Sequence, residues 1–218
     1  YQREDLKATK DELSLTRKEY VNHNVTLKAQ RFENTFFKIL EKREKIIFEI
    51  NHNRSQDIFT TFNYVIHKKL DTALEKNSEL EYTSLFNYVF ENKFSQSVKI
   101  YIKNLELIFK LIEDTEFISV MDIKLLENVT SVTKNQYSYK NREASKKYIT
   151  ILLSEVTDQE MLFLFYYSLH PAGVTLNYYF MKHKFLVYLD ASFPNKYSKY
   201  LPKSFLHLLD SNFIFEDW

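Results

Sequence analysis

A chain of 218 residues with one glycine, no cysteine and a formal net charge of +1 excludes several classes of function. A lone Gly173 cannot build the glycine-rich loops that hold phosphates in P-loop or dinucleotide-binding enzymes, and the lack of cysteine excludes disulfides, thiol catalysis and thiolate zinc sites. Thirty basic against 29 acidic residues give none of the basic excess of nucleic-acid binders, so nucleic acid is not an expected partner.

Residues 1–30 are predicted to form a coiled-coil-like stalk. Leu6, Leu13, Tyr20 and Leu27 recur at sevenfold spacing, but the second apolar position of each heptad, which a stable coiled coil needs, holds polar residues such as Thr9. The pattern predicts a long exposed helix over residues 2–51, about 75 Å in length at 1.5 Å per residue. We expect this helix to self-associate weakly into a homo-oligomer or to pack back onto its own domain.

Residues 31–218 are predicted to form one all-α domain, a helical bundle that the stalk enters without a break. Apolar residues with a period near 3.6 begin at Phe32 and Phe36 and indicate the first core helix. No segment shows the period-two alternation of a strand. Further helices are predicted over residues 56–76, 78–92, 95 or 97 to 112, 120–127, 138–156, 161–169, 176–189 and 204–209.

Thr157 and Glu160 give the clearest helix start in the chain. In a capping box, the Thr157 hydroxyl accepts from the backbone N–H of Glu160, and the Glu160 side chain reaches back to the Thr157 amide. This role explains Glu160 without chemistry. Residues 161–181, which follow, lack Asp, Glu, Lys and Arg and match a membrane span in length. However, the break at Pro171 and Gly173 predicts two buried helices joined by a turn instead.

Three segments, in order along the chain, carry a family resemblance. They are residues 32–40 (FENTFFKIL), 101–112 (YIKNLELIFKLI) and 153–167 (LSEVTDQEMLFLFYY). In order and similar spacing they resemble the putative phage abortive infection family, AbiC-type, of bacterial defence loci. The residues that match the family motif are Phe32, Glu33, Thr35, Phe36, Phe37, Lys103, Asn104, Glu160, Phe165 and Tyr166.

The resemblance implies a function but no active site. Where the family has arginine and histidine in the middle segment, this chain has Lys103 and Leu107, and where it has arginine and asparagine in the third, this chain has Leu153 and Tyr167. Such polar groups are the natural candidates for chemistry. The resemblance therefore implies a non-enzymatic antiphage module without cofactor, which senses a phage protein or a defence-locus partner and leads to growth arrest or death of the host.

The resemblance also bears on localisation. Family members often carry membrane-spanning helices and a charged spacer upstream, and this chain begins at Tyr1 rather than methionine. We therefore expect a missing upstream segment with a membrane anchor. The domain would lie in the cytoplasm, tethered to the inner face of the cell membrane, with a membrane as partner only through that segment.

Glu33 is a candidate buried carboxylate, because it lies on the face next to Phe32 and Phe36. Burial in apolar surroundings would raise its pKa. The structural alternative is an ion pair with Lys103 or a hydrogen bond to Asn104, and this alternative is favoured.

Arg17 and His23 offer a second function. Their Arg-x5-His spacing resembles the signature of HEPN ribonucleases, in which histidine handles the proton of an attacking 2′-hydroxyl and arginine steadies the phosphate charge. Ribonuclease activity is thus the alternative function, and a coiled-coil adaptor without a defence role is the third. No metal site is expected, since the six histidines are scattered without an H-E-x-x-H motif.

Overall fold

The computed structural model describes residues 2–52, 54–76, 85, 89, 95–127, 131–183 and 189. All regular structure within these residues is helical, which confirms the all-α prediction and the long N-terminal helix. The described α-helices are α1 (Gln2–Asn51), α2 (Ile58–Glu75), α3 (Ser95–Asp114), α4 (Val120–Glu127), α5 (Lys134–Ser154), α6 (Asp158–Ser168) and α7 (Val174–Lys182), with a 3-10 turn at Pro171–Gly173.

Most predicted helix positions agree with the structure. The prediction extended α7 to residue 189, but this helix ends at Lys182, and the described residues His183 and Leu189 are not helical. The start of α5 differs as well. This helix begins at Lys134 instead of residue 138. The reason is a capping pair that the prediction overlooked: Thr133 Oγ1 accepts from the Gln136 amide at 3.2 Å, and Gln136 Oε1 accepts from the Thr133 amide at 2.9 Å. The predicted helices at 78–92, except Leu85 and Val89, and at 204–209 lie outside the described residues.

The chain divides into two compact units, and the first contains residues 1–41 and 108–151. Its core is an aromatic cluster in which Phe32 of α1 meets Tyr148 of α5, with ring centroids 4.4 Å apart, and Phe117, at 4.8 Å. Phe36 is fully buried beside them. The predicted core face of α1 is therefore used as expected, with edge-to-face and stacked ring contacts that aromatic pairs prefer.

The first turns of α1 contribute little to that core. Leu6, Leu13 and Tyr20 remain 71%, 54% and 66% exposed, and Val21 is the first buried side chain of the helix. This part of α1 follows the predicted description of a long exposed helix. A helix of this kind gains no stability from packing on its own unit.

The second unit contains residues 42–107 and 152–218. Its centre is α6, in which every residue from Phe163 to Ser168 is buried and which packs against α2. The ring of Phe163 lies 4.8 Å from that of Phe62 and 5.1 Å from that of Phe59. A helix that is apolar on all sides needs such a central position.

The apolar stretch 161–181 is built as predicted, from two helices joined by a turn. Gly173 in the turn packs against the end of α6, where a Cβ atom would overlap the carbonyl oxygen of Tyr167 and lie 3.0 Å from Cα of Ser168. This close approach requires glycine. None of the helices in the described part combines the length and the apolar character of a membrane span.

Candidate functional site

Among the described residues of the second unit, Arg43 is a buried cation. The buried stripe of α1 continues through Leu40, Arg43, Ile46 and Ile50, so the arginine occupies a position that the 3.6-residue period assigns to the core. Its exposed fraction is 2%. Because burying an unpaired charge costs several kcal/mol, this position requires bonded partners.

Those partners come from two other helices. Glu160, in the first turn of α6, is also 2% exposed, and its Oε1 accepts hydrogen bonds from Nη2 of Arg43 and from the hydroxyl of Tyr101 on α3. Nη2 of Arg43 also donates to the backbone oxygen of Glu155, at 3.1 Å. The guanidinium lies 6.0 Å from the centre of the Tyr101 ring. We refer to Arg43, Tyr101 and Glu160 as the Arg43 cluster.

The protonation states in the Arg43 cluster follow from burial and charge. Burial raises the pKa of Tyr101 well above its usual value, and the Glu160 charge raises it further, so the phenol keeps its proton. For Arg43, burial lowers the pKa, but the nearby Tyr101 and Glu160 outweigh burial and raise it. Arg43 therefore stays a cation and Tyr101 a neutral donor near neutral pH. General acid–base work needs a group with a pKa near the working pH, and neither residue provides one.

An open pocket of about 410 Å³ adjoins the Arg43 cluster. It lies at the start of α2 and of α6, whose caps are Asp57 and Thr157. Oδ2 of Asp57 accepts from the Thr60 amide at 2.9 Å, and Oδ1 accepts from the Asn51 side chain at 2.8 Å. These caps therefore already accept hydrogen bonds from some of the first-turn backbone N–H groups at the pocket. The lining residues are Arg43, Glu44, Ile47, Phe48, Asn51, Asp57, Phe59, Glu155, Thr157 and Glu160.

The predicted capping box at Thr157 is half correct. The Thr157 hydroxyl accepts from the Glu160 amide at 3.2 Å, as expected. The prediction for the Glu160 side chain was wrong, because that carboxylate bonds Arg43 and Tyr101 instead of reaching back to the cap. The tertiary ion pair satisfies a buried cation, and a return to the Thr157 amide would leave that cation unpaired. Sequence reasoning missed Arg43, although its place in an apolar stripe was a visible signal.

Glu33, in the first unit, has other partners than those predicted. Its Oε1 accepts from Nζ of Lys147 at 3.1 Å and from the Tyr148 hydroxyl at 2.9 Å, so the expected pairing with Lys103 or Asn104 was wrong. The hydrogen bond from Lys147, followed by that from Tyr148, lowers the pKa of Glu33, which also excludes the buried carboxylate with a raised pKa. Burial and this hydrogen bond raise the pKa of Tyr148 to about 12.

The other motif residues divide into core and surface positions. Phe165 and Tyr166 are fully buried in α6, and Asn104 is buried on α3, where Oδ1 accepts from no described residue. Lys103 is exposed, Phe37 is 47% exposed, and the exposed Thr35 donates its hydroxyl to the backbone oxygen of Arg31 at 3.1 Å. Of the motif residues, Glu160 therefore belongs to the Arg43 cluster, and Glu33 bonds Lys147 and Tyr148 in the first unit.

Arg17 and His23 are exposed side chains on α1. Six residues of helix rotate a side chain by about 600°, so the two point about 120° apart. Neither lines the pocket beside the Arg43 cluster. Among the described residues, no group of three or more His, Cys, Asp or Glu side chains is arranged to hold a metal ion.

The described residues define an all-α protein with a buried ion pair in its second unit and a long N-terminal helix whose first turns are exposed. Residues 93–194 match the model of a family described as putative phage abortive infection protein, which confirms the predicted resemblance over slightly less than half of the chain. The match includes the second and third resembling segments, with Tyr101 and Glu160, whereas residues 32–40 and Arg43 precede it. No curated protein and no solved structure matches the chain.

Proposed function

We propose that this chain is a non-enzymatic helical module of a bacterial antiphage protein that acts by abortive infection. The family match over residues 93–194 carries the antiphage part of the proposal. The Arg43 cluster supports the non-enzymatic part, since its carboxylate is 2% exposed and is bonded to a permanent cation and a neutral phenol. The pKa values of Arg43 and Tyr101 are both raised, so these two groups hold their protons too tightly for proton transfer at neutral pH.

In the proposed mechanism, the module recognises a phage component or a partner encoded in the same defence locus. Recognition changes the assembly or the contacts of the module, and the host cell stops growing or dies before phage are released. An upstream anchor would hold the module at the inner face of the cell membrane. The exposed residues 2–20 of α1 suit such a spacer, because they project apolar and charged side chains that their own unit leaves uncovered.

The experiment that tests this function is phage plaque formation on cells that express the protein. Cells with the intact gene should show fewer plaques than cells with an empty vector, and a culture infected with excess phage should stop growing without releasing progeny. Survival of the infected cells with normal growth would contradict abortive infection. No protection against a broad panel of phages would contradict the antiphage role.

The variant His23→Ala separates the module from the ribonuclease alternative, whereas a deletion of residues 1–20, which also removes Arg17, tests the stalk. His23→Ala should protect as well as the parent protein, because the proposed function uses no histidine chemistry. Loss of protection by His23→Ala in a protein that still folds would favour the ribonuclease. Deletion of residues 1–20, which ends before the first buried side chain at Val21, should abolish protection while the helical domain remains folded.

A further inference from the structure

The exposed start of α1 carries one apolar stripe that its own unit does not cover. Leu6, Leu13 and Tyr20 follow one another at intervals of seven residues and remain between 54% and 71% exposed. Each uncovered leucine leaves apolar surface in water at a cost of about 25 cal/mol per Å². A stripe with this spacing is the seam of a coiled coil, so its natural cover is another helix.

The charges on either side of the stripe are separated by sign. With Leu6 and Leu13 at the a positions of a heptad, the g positions hold Asp5 and Glu12, and the e positions hold Lys10 and Arg17. All four charged side chains are exposed. One edge of the seam is therefore acidic and the other is basic.

None of these four charges has an ion-pair partner within its own helix. Stabilising ion pairs in a single helix join residues three or four apart. At those distances Asp5, Glu12, Lys10 and Arg17 have no residue of opposite charge; Lys10, for instance, faces only Leu6, Lys7, Leu13 and Ser14. A partner helix is the arrangement that pairs them.

Charge complementarity selects the partner and its direction. In a parallel two-stranded coiled coil, a g residue faces the e residue five positions later in the other chain. A second copy in register then places Asp5 opposite Lys10 and Glu12 opposite Arg17, on both sides of the seam. An antiparallel pair would place g beside g and e beside e, so acid would face acid and base would face base.

We propose that a second copy of this chain covers the stripe, as a parallel, in-register coiled coil over residues 2–20. The coiled coil ends there because Val21 is already buried within the chain. Thr9 and Thr16 occupy the d positions and supply little apolar contact, so the dimer is weak and depends on concentration. This inference is independent of the antiphage role, and the experiments below measure association with the purified protein alone.

Disulfide trapping tests register and direction, and the absence of native cysteine makes single-cysteine variants unambiguous. Thr16→Cys places a thiol at a d position, where the two copies meet, and Asp11→Cys places one on the outer face as a matched control. Mild oxidation should convert Thr16→Cys into a covalent dimer and leave Asp11→Cys monomeric. Equal cross-linking of both variants, or none in Thr16→Cys, would overturn the proposal.

Charge exchange tests the ion pairs without altering the seam. Glu12→Lys and Arg17→Glu each create two repulsive contacts in their own dimers, and each should weaken dimerisation by about tenfold in sedimentation equilibrium. A mixture of the two variants restores opposite charges at both contacts and should form heterodimers as strong as the parent dimer. Asp11→Lys, the same charge change on the outer face, should shift the dissociation constant by less than about twofold. A mixture no stronger than its components, or a monomeric parent chain, would contradict the proposal.

Discussion

Replacing Glu160 by alanine is the sharpest test of the Arg43 cluster. The change removes the carboxylate that accepts from both Arg43 and Tyr101, and it leaves a guanidinium with 2% exposure and a phenol with none. Removal of one partner from a buried ion pair costs about 3–5 kcal/mol, because the remaining charge stays out of water without compensation. Native domains are stable by about 5–15 kcal/mol in total, so the loss should be a large fraction of the free energy of unfolding.

Urea denaturation followed by far-UV circular dichroism measures this loss. Glu155→Ala is the matched control, because Glu155 lines the same pocket with an exposed carboxylate and bonds Arg43 only through its backbone oxygen, which alanine retains. The control should change the free energy of unfolding by no more than about 0.5 kcal/mol. A loss below about 1 kcal/mol for Glu160→Ala would refute the argument, since it would mean that Arg43 finds water or another acceptor.

Three further perturbations probe the two units separately. Phe36→Ala, at a fully buried position, should lower the free energy of unfolding in urea by about 3–5 kcal/mol. Phe37→Ala, at a position that is 47% exposed, should lower it by less than about 1 kcal/mol. Equal losses would contradict the described packing. Gly173→Ala should cost at least about 1–3 kcal/mol, because the new Cβ overlaps a backbone carbonyl at the end of α6, and an unchanged Tm would refute this. The pKa of Glu33 is lowered, first by the hydrogen bond from Lys147, so its contribution to stability is complete above the ordinary value of 4.5 and is lost as the pH falls through the lowered pKa. Glu33→Gln should therefore show a flatter loss of stability below pH 4.5 than the parent, and parallel curves would count against the pairing.

The helix order could be predicted because the signals that determine it are local. The continuous helix over residues 2–51 follows from the lack of any breaker before Asn51, and the turn before α7 follows from Pro171 and Gly173. The predicted start of α5 was wrong by four residues, although Thr133 and Gln136 have the spacing of a capping box in the sequence. Local chemistry therefore fixes most helix ends.

Partner choice could not be predicted, because it depends on how distant segments pack. Lys147 pairs with Glu33 across 114 positions, and nothing in the sequence separates this lysine from Lys103 as a partner. The capping box at Thr157 already explains Glu160 from the local sequence. Only the tertiary structure shows that Arg43, 117 positions earlier, bonds its carboxylate. A charged residue inside an apolar stripe is the one local sign that such a partner must exist.

The most direct test of a non-enzymatic function replaces the Arg43 cluster by apolar side chains. The triple variant Arg43→Met, Tyr101→Phe and Glu160→Leu removes the ion pair, its hydroxyl donor and every proton that the cluster could exchange. Apolar replacement of a whole buried ion pair is often neutral or stabilising, so the triple variant should fold. We predict that cells expressing it reduce phage plaque formation as much as cells expressing the parent protein. A folded triple variant that no longer protects would show that the cluster performs chemistry or binds a ligand, and would contradict the proposed function.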